Sequence, residues 1–203
     1  MLAGEILLND NRCMRCLLAC LLTVTLLTAC SRSNNVSHVD VTTNPDTGLN
    51  AWKTRDQVFS LELVPLLPDF VRAVFMAKQL PANVVEAIGS YCVFGTIVRN
   101  EADVSVSYDM RTWRYITEDG VEHHAKPKSA WVEEWREQDI AFRWTLLYEA
   151  QTYAVGDWGQ GFTTVKLAPG TRFDLHYNWQ QAGESHARVI KDMTCAPATL
   201  PDR

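Results

Sequence analysis

His176, His186, Met193 and Cys195 are the residues of this 203-residue chain whose types could hold a soft metal ion. Two imidazoles, a thioether and a thiolate suit copper by ligand type. The set works only if the strands bearing His176 and His186 pair, and only if Cys195 is a free thiolate. Cys92 competes for the same sulfur, since two cysteines in an oxidising compartment pair by default. Cys92 and Cys195 lie far apart in sequence and so form no Cys-x-x-Cys pair that would tune a thiolate. His123 and His124 are adjacent, so on a strand they point to opposite faces and chelate poorly together. Catalytic spacings are lacking. The chain has no Gly-x-Ser-x-Gly, no His-Glu-x-x-His and no Walker pattern. Glu133-Glu134 lies on the solvent side of a segment anchored by Trp131 and Trp135. These observations predict a protein that is not an enzyme.

Composition narrows the class further. Hydrophobic residues make up 47% of the chain and charged residues 21%, a globular balance. Nineteen basic residues face 24 acidic ones, for a net charge of -5, and no basic run reaches three. A nucleic-acid partner is not expected, because phosphate neutralisation needs a clustered basic surface.

Residues 16–28 read CLLACLLTVTLLT, thirteen residues without a charge. That is too short to span a bilayer and right for the apolar region of a signal peptide, with Arg15 as its positive flank. It runs into Leu27-Thr28-Ala29-Cys30. This stretch resembles the lipobox of bacterial lipoproteins, over residues 14–31. The resemblance implies cleavage of residues 1–29, lipidation of Cys30 and anchoring in the membrane through acyl chains. Ser31, where an aspartate would favour retention in the inner membrane, implies delivery to the outer membrane, facing the periplasm. Glu5 and Asp10 are acidic where such a segment is normally basic, so Met14 is the expected true start.

Cleavage would remove Cys13, Cys16 and Cys20, and lipid would consume Cys30. Cys92 and Cys195 remain, and we expect a disulfide between them. Residues 30–50 are polar, with the turn-rich Asn44-Pro45-Asp46-Thr47-Gly48, and read as a lipidated flexible linker. All 20 aromatic residues lie at Trp52 or later, so the domain is expected over residues 51–203.

Strand-period patterns dominate that domain. Phe59, Leu61 and Leu63 alternate with more polar neighbours. Residues 91–98 (YCVFGTIV) are apolar on both faces, as in a buried central strand. Val104, Val106 and Tyr108 alternate. So do Ile140, Phe142, Trp144, Leu146 and Tyr148. Phe173, Leu175, Tyr177 and Trp179 give the cleanest alternation, and residues 162–167 and 187–190 add shorter candidates. Seven or eight strands between polar turns predict a mainly β, antiparallel sandwich. Leu167-Ala168-Pro169-Gly170-Thr171-Arg172-Phe173 and the alternation after it resemble the E–F corner of immunoglobulin-like domains. That resemblance implies an immunoglobulin-like architecture and nothing about activity.

Helical segments interrupt the strands. Pro68-Asp69 opens one, with Phe70, Val71, Val74 and Phe75 as an apolar face. Pro81 restarts a second that Gly89 ends, giving a helical hairpin insertion over residues 68–89. A further short helix over residues 129–138 has Ser129 as its expected cap. Asp157-Trp158-Gly159-Gln160-Gly161 reads as a Gly-flanked turn with an aromatic tip.

The functional expectation is a lipid-anchored interaction or assembly module facing the periplasm. Its envelope partner would dock on Phe70, Val74, Phe75 or Trp158. The alternative is a periplasmic copper-handling or redox accessory protein that uses His176, His186, Met193 and Cys195.

Overall fold

In the computed structural model, residues 36–200 are described, except 55, 57, 143 and 144. The expected signal segment, Cys30 and Trp144 therefore lie outside the described residues. The chain is mainly β. Five strands form one antiparallel sheet, in the order β1 (Val39–Thr43), β2 (Asn50–Thr54), β3 (Phe59–Leu66), β4 (Cys92–Asn100) and β9 (Trp158–Val165). The second sheet has six strands and is built around β10 (Arg172–Gln181). β11 (Glu184–Thr194) lines one side of β10 from end to end. On its other side, β6 (Arg114–Thr117) and β5 (Val106–Asp109) follow one another along the same strand. β7 (Glu122–His123) extends β6, and β8 (Ala150–Tyr153) extends β5.

The inner faces of the two sheets share one core. Phe59, Leu61, Leu63, Phe94 and Val98 meet Tyr108, Trp113, Phe173, Leu175, Tyr177 and Trp179. Phe59 stacks on Trp179 at 5.3 Å, and Phe94 meets Phe173 edge-on at 5.9 Å. Offset and edge-on pairs are the favoured aromatic geometries. The indole N–H of Trp179 has no partner, alone among buried side-chain polar atoms of the described residues.

β4 is apolar on both faces, so its outer face needs its own cover. Three helices supply it. They are α1 (Pro68–Met76), α2 (Ala82–Gly89) and α3 (Lys128–Arg136). Val71, Phe75, Val84, Ile88, Trp131 and Trp135 form a second core over Val93. The indole of Trp131 donates to Thr164 Oγ1 at 2.9 Å, which pins α3 to β9. Trp131 and Trp135 sit one turn apart with rings 5.9 Å apart, as the i, i+4 spacing predicts. Pro127, not Ser129, occupies the N-cap, because α3 begins at Lys128.

Four other expectations are corrected. The linker expected over residues 30–50 is part of the sheet from Val39 onward. β1 and β2 pair over residues 39–43 and 50–54 around the Asn44 turn, where Asn44 Oδ1 accepts from the amides of Asp46 and Thr47. The described residues of the 140–148 segment form no regular strand. Asp139 and Thr145 take left-handed backbone conformations (φ 60° and 68°), which break the alternation, and among the described residues the segment meets β9 through an isolated Leu146–Phe162 bridge. The Trp158 segment is not a turn. It is the first half of β9, paired with β4 from Arg99–Trp158 inward, and the turn lies before it at Ala154–Asp157. Eleven strands are found among the described residues where seven or eight were expected. The additional ones are short and largely exposed, so they carry no hydrophobic period.

Cys92, at the start of β4, is bonded to Cys195, just past β11. The bridge joins the two sheets across 103 residues of sequence. A loop of that size stabilises by about 4.7 kcal/mol in the chain-entropy model. The Cys92→Ser, Cys195→Ser variant should therefore melt roughly 10–15 °C lower than wild type in oxidising buffer. An unchanged melting temperature by near-UV circular dichroism would remove the disulfide from the account.

Candidate functional site

The helical layer stops part-way along the outer face of β3, β4 and β9. Register places Leu66, Val93 and Thr164 in one row, then Val64, Gly95 and Phe162, then Glu62, Ile97 and Gln160, then Ser60, Arg99 and Trp158. Val93 is buried under the helices. Val64, one row further, is exposed. Beyond Val93 lies an open hollow of about 460 Å³, lined by Val64, Gly95, Ile97, Thr145, Gln160 and Phe162.

Gly95 makes the hollow. Glycine in the middle of a central strand costs stability and leaves no side chain to pack. Its role here is not to relieve a clash. Among the described residues, a Cβ built on Gly95 would meet nothing closer than 3.8 Å. The other two glycines of the neighbouring strand differ. A Cβ at Gly159 would fall 2.1 Å from the Tyr153 hydroxyl, and one at Gly161 would fall 2.3 Å from the Leu147 backbone nitrogen. Those two glycines admit the chain that packs beside β9, whereas Gly95 leaves space open.

Beyond the hollow, Trp158 is 51% exposed. The Arg99 guanidinium sits 5.0 Å from its ring centroid, a cation–π contact that holds the indole on the sheet. The face is thus an apolar floor ending in an aromatic–cation pair.

The other sequence-predicted surface residues divide. Phe70 is 52% exposed on α1. Val74 is half-buried against the second core. Phe75 is fully buried among Trp135, Phe142 and Phe162, so it anchors the helical hairpin and offers nothing to a partner.

The copper set is not brought together. His176 lies opposite Val189, and His186 lies opposite Trp179. Three positions along β10 separate them, roughly 10 Å, and an odd separation puts them on opposite faces. His186 stacks on the Trp179 ring at 5.4 Å. Met193 is buried opposite Phe173, and the Cys195 sulfur is in the disulfide. Among the described residues, no group of three or more His, Cys, Asp or Glu side chains is placed to share a metal ion.

Comparisons with protein-family models, curated proteins and solved structures find no match for this chain. The assignment of a site therefore rests on the geometry alone. Sequence reasoning named Trp158 but missed the hollow beside it. The available signal was Gly95 inside an otherwise unbroken apolar strand.

Two outcomes follow. Gly161→Ala should destabilise by roughly 2–3 kcal/mol, because its Cβ strikes backbone that cannot rotate away; urea unfolding at wild-type level would contradict the packing described. His176 provides a pH test. Burial, and then the Arg114 charge, hold its pKa below the ordinary histidine value of 6.5, against the opposing pull of Asp174. The unfolded chain then takes up a proton near pH 6.5 that the folded chain accepts only at lower pH. Stability from this group is complete above about pH 6.5 and falls as pH drops toward the folded pKa. His176→Gln should flatten the loss of stability between pH 7 and pH 5, and an unchanged slope would contradict it.

Proposed function

We propose that this protein is a lipid-anchored interaction module of the bacterial cell envelope, held at the outer membrane through Cys30 and facing the periplasm. It works without catalysis. The hollow over Gly95 receives an apolar side chain from a protein partner, and Trp158 with Arg99 forms its rim. The signal-like residues 16–28 and the Leu27-Thr28-Ala29-Cys30 motif support the address. The observation that carries the binding reading is Gly95, a central-strand glycine that no contact among the described residues requires.

Gly95→Val tests this. A β-branched residue fits a central strand better than glycine, so the variant should be as stable as wild type or more so by about 0.5–1 kcal/mol. Its side chain would project into the hollow over its floor. A photoreactive residue at Gln160, on the exposed wall, should form one defined protein adduct in intact cells, and Gly95→Val should abolish it. An adduct that persists in a folded Gly95→Val protein would contradict the reading.

A further inference from the structure

The point at which the chain joins the sandwich fixes which way the hollow faces, provided that the lipid anchor at Cys30 is real. Val36 bridges Val189 of β11 in parallel, and the Ser37 amide donates to the Val189 carbonyl at 2.9 Å. Ser37 Oγ and the Tyr177 hydroxyl are 2.7 Å apart, and that hydroxyl donates to Asp56 Oδ2 at 3.0 Å. Arg188 stands 3.9 Å from Asp56. Ser37 and Tyr177 are both buried. The chain is therefore fastened to the domain at Val36 and Ser37, not at Asn50.

Only six peptide steps separate Cys30 from Val36. Fully extended, they reach about 20 Å. A linker running to Asn50 would have reached about 70 Å by the same rule. After Ser37 the chain enters β1, one edge of the five-stranded sheet. The opposite edge is β9, four strand spacings away, or roughly 19 Å. Two exposed apolar side chains, Val36 and Val41, lie on the anchored side. The hollow spans the three strands farther from it, β3, β4 and β9, and Trp158 lies on β9.

We infer that the lipid surface itself covers the β1 and β11 side of the sandwich. The acyl chains on Cys30 hold that side against the headgroups, and β9 carries the hollow outward into the aqueous phase. A partner would then approach from the side away from the membrane.

The test uses the full lipidated protein in phosphatidylethanolamine–phosphatidylglycerol vesicles carrying a rhodamine headgroup acceptor. A donor dye is placed through Val41→Cys on β1, or through Val155→Cys in the exposed turn before β9, with Cys92–Cys195 left oxidised. Donor quenching at position 41 should exceed that at position 155 by about twofold. Ten Gly/Ser residues inserted after Ser33 should remove the difference. Equal quenching without the insertion, or stronger quenching at position 155, overturns the orientation while leaving the anchor intact. If the chain takes up no labelled palmitate, or takes it up equally after Cys30→Ala, the anchor fails and the orientation fails with it.

Discussion

Everything in this fold depends on β4 being apolar on both faces. A strand of that kind cannot sit at a solvent boundary, because each bare side chain forgoes about 25 cal/mol per Å² of burial. Phe94 and Val98 are covered by the second sheet. Val93 needs a different cover and receives it from α1, α2 and α3. The helical insertion is thus the second wall of a three-layer packing around the same sheet. The disulfide starts from the first residue of β4, so the strand with the greatest demand for cover is also the one covalently tied to the far end of the chain.

The cover is incomplete in a patterned way. It ends at the row of Val64, Gly95 and Phe162, where the central position has no side chain. The tight contacts at Gly159 and Gly161 mark the opposite regime, in which glycine is forced by neighbouring chain. One sheet therefore holds glycines of both kinds. Among the described residues, buried side-chain polar atoms other than the Trp179 indole nitrogen are paired. Asn100 donates to the carbonyls of Val104, Tyr153 and Ala154 and accepts from the Ala102 amide, which locks the crossing between the sheets.

Local pattern made much of this visible in advance. β3, β4 and β10 announce themselves by their apolar periods, and α1 and α2 by the prolines that begin them. The pairing of Cys92 with Cys195 follows once the other four cysteines are assigned away. What stayed hidden depends on tertiary context. β1 and β2 are polar because they lie at a sheet edge, so they looked like linker. Residues 140–148 alternate, but two left-handed residues, Asp139 and Thr145, turn the chain where a strand would run straight. Gly159 and Gly161 suggested a turn, although their cause is the close approach of Tyr153 and Leu147. His176 and His186 looked adjacent on a hairpin until register put them on opposite faces. A hollow formed by the limits of a helical layer has no local pattern at all.

Radical footprinting would test the central claim, that the uncovered stretch of this sheet is occupied in the cell, most directly. Trp158 is exposed in the isolated protein and reactive toward hydroxyl radicals, and His123 on the other sheet serves as an internal reference. The account predicts that Trp158 is labelled several-fold less in intact envelopes than in the purified protein, with His123 unchanged. Equal labelling of Trp158 in the two preparations would contradict it.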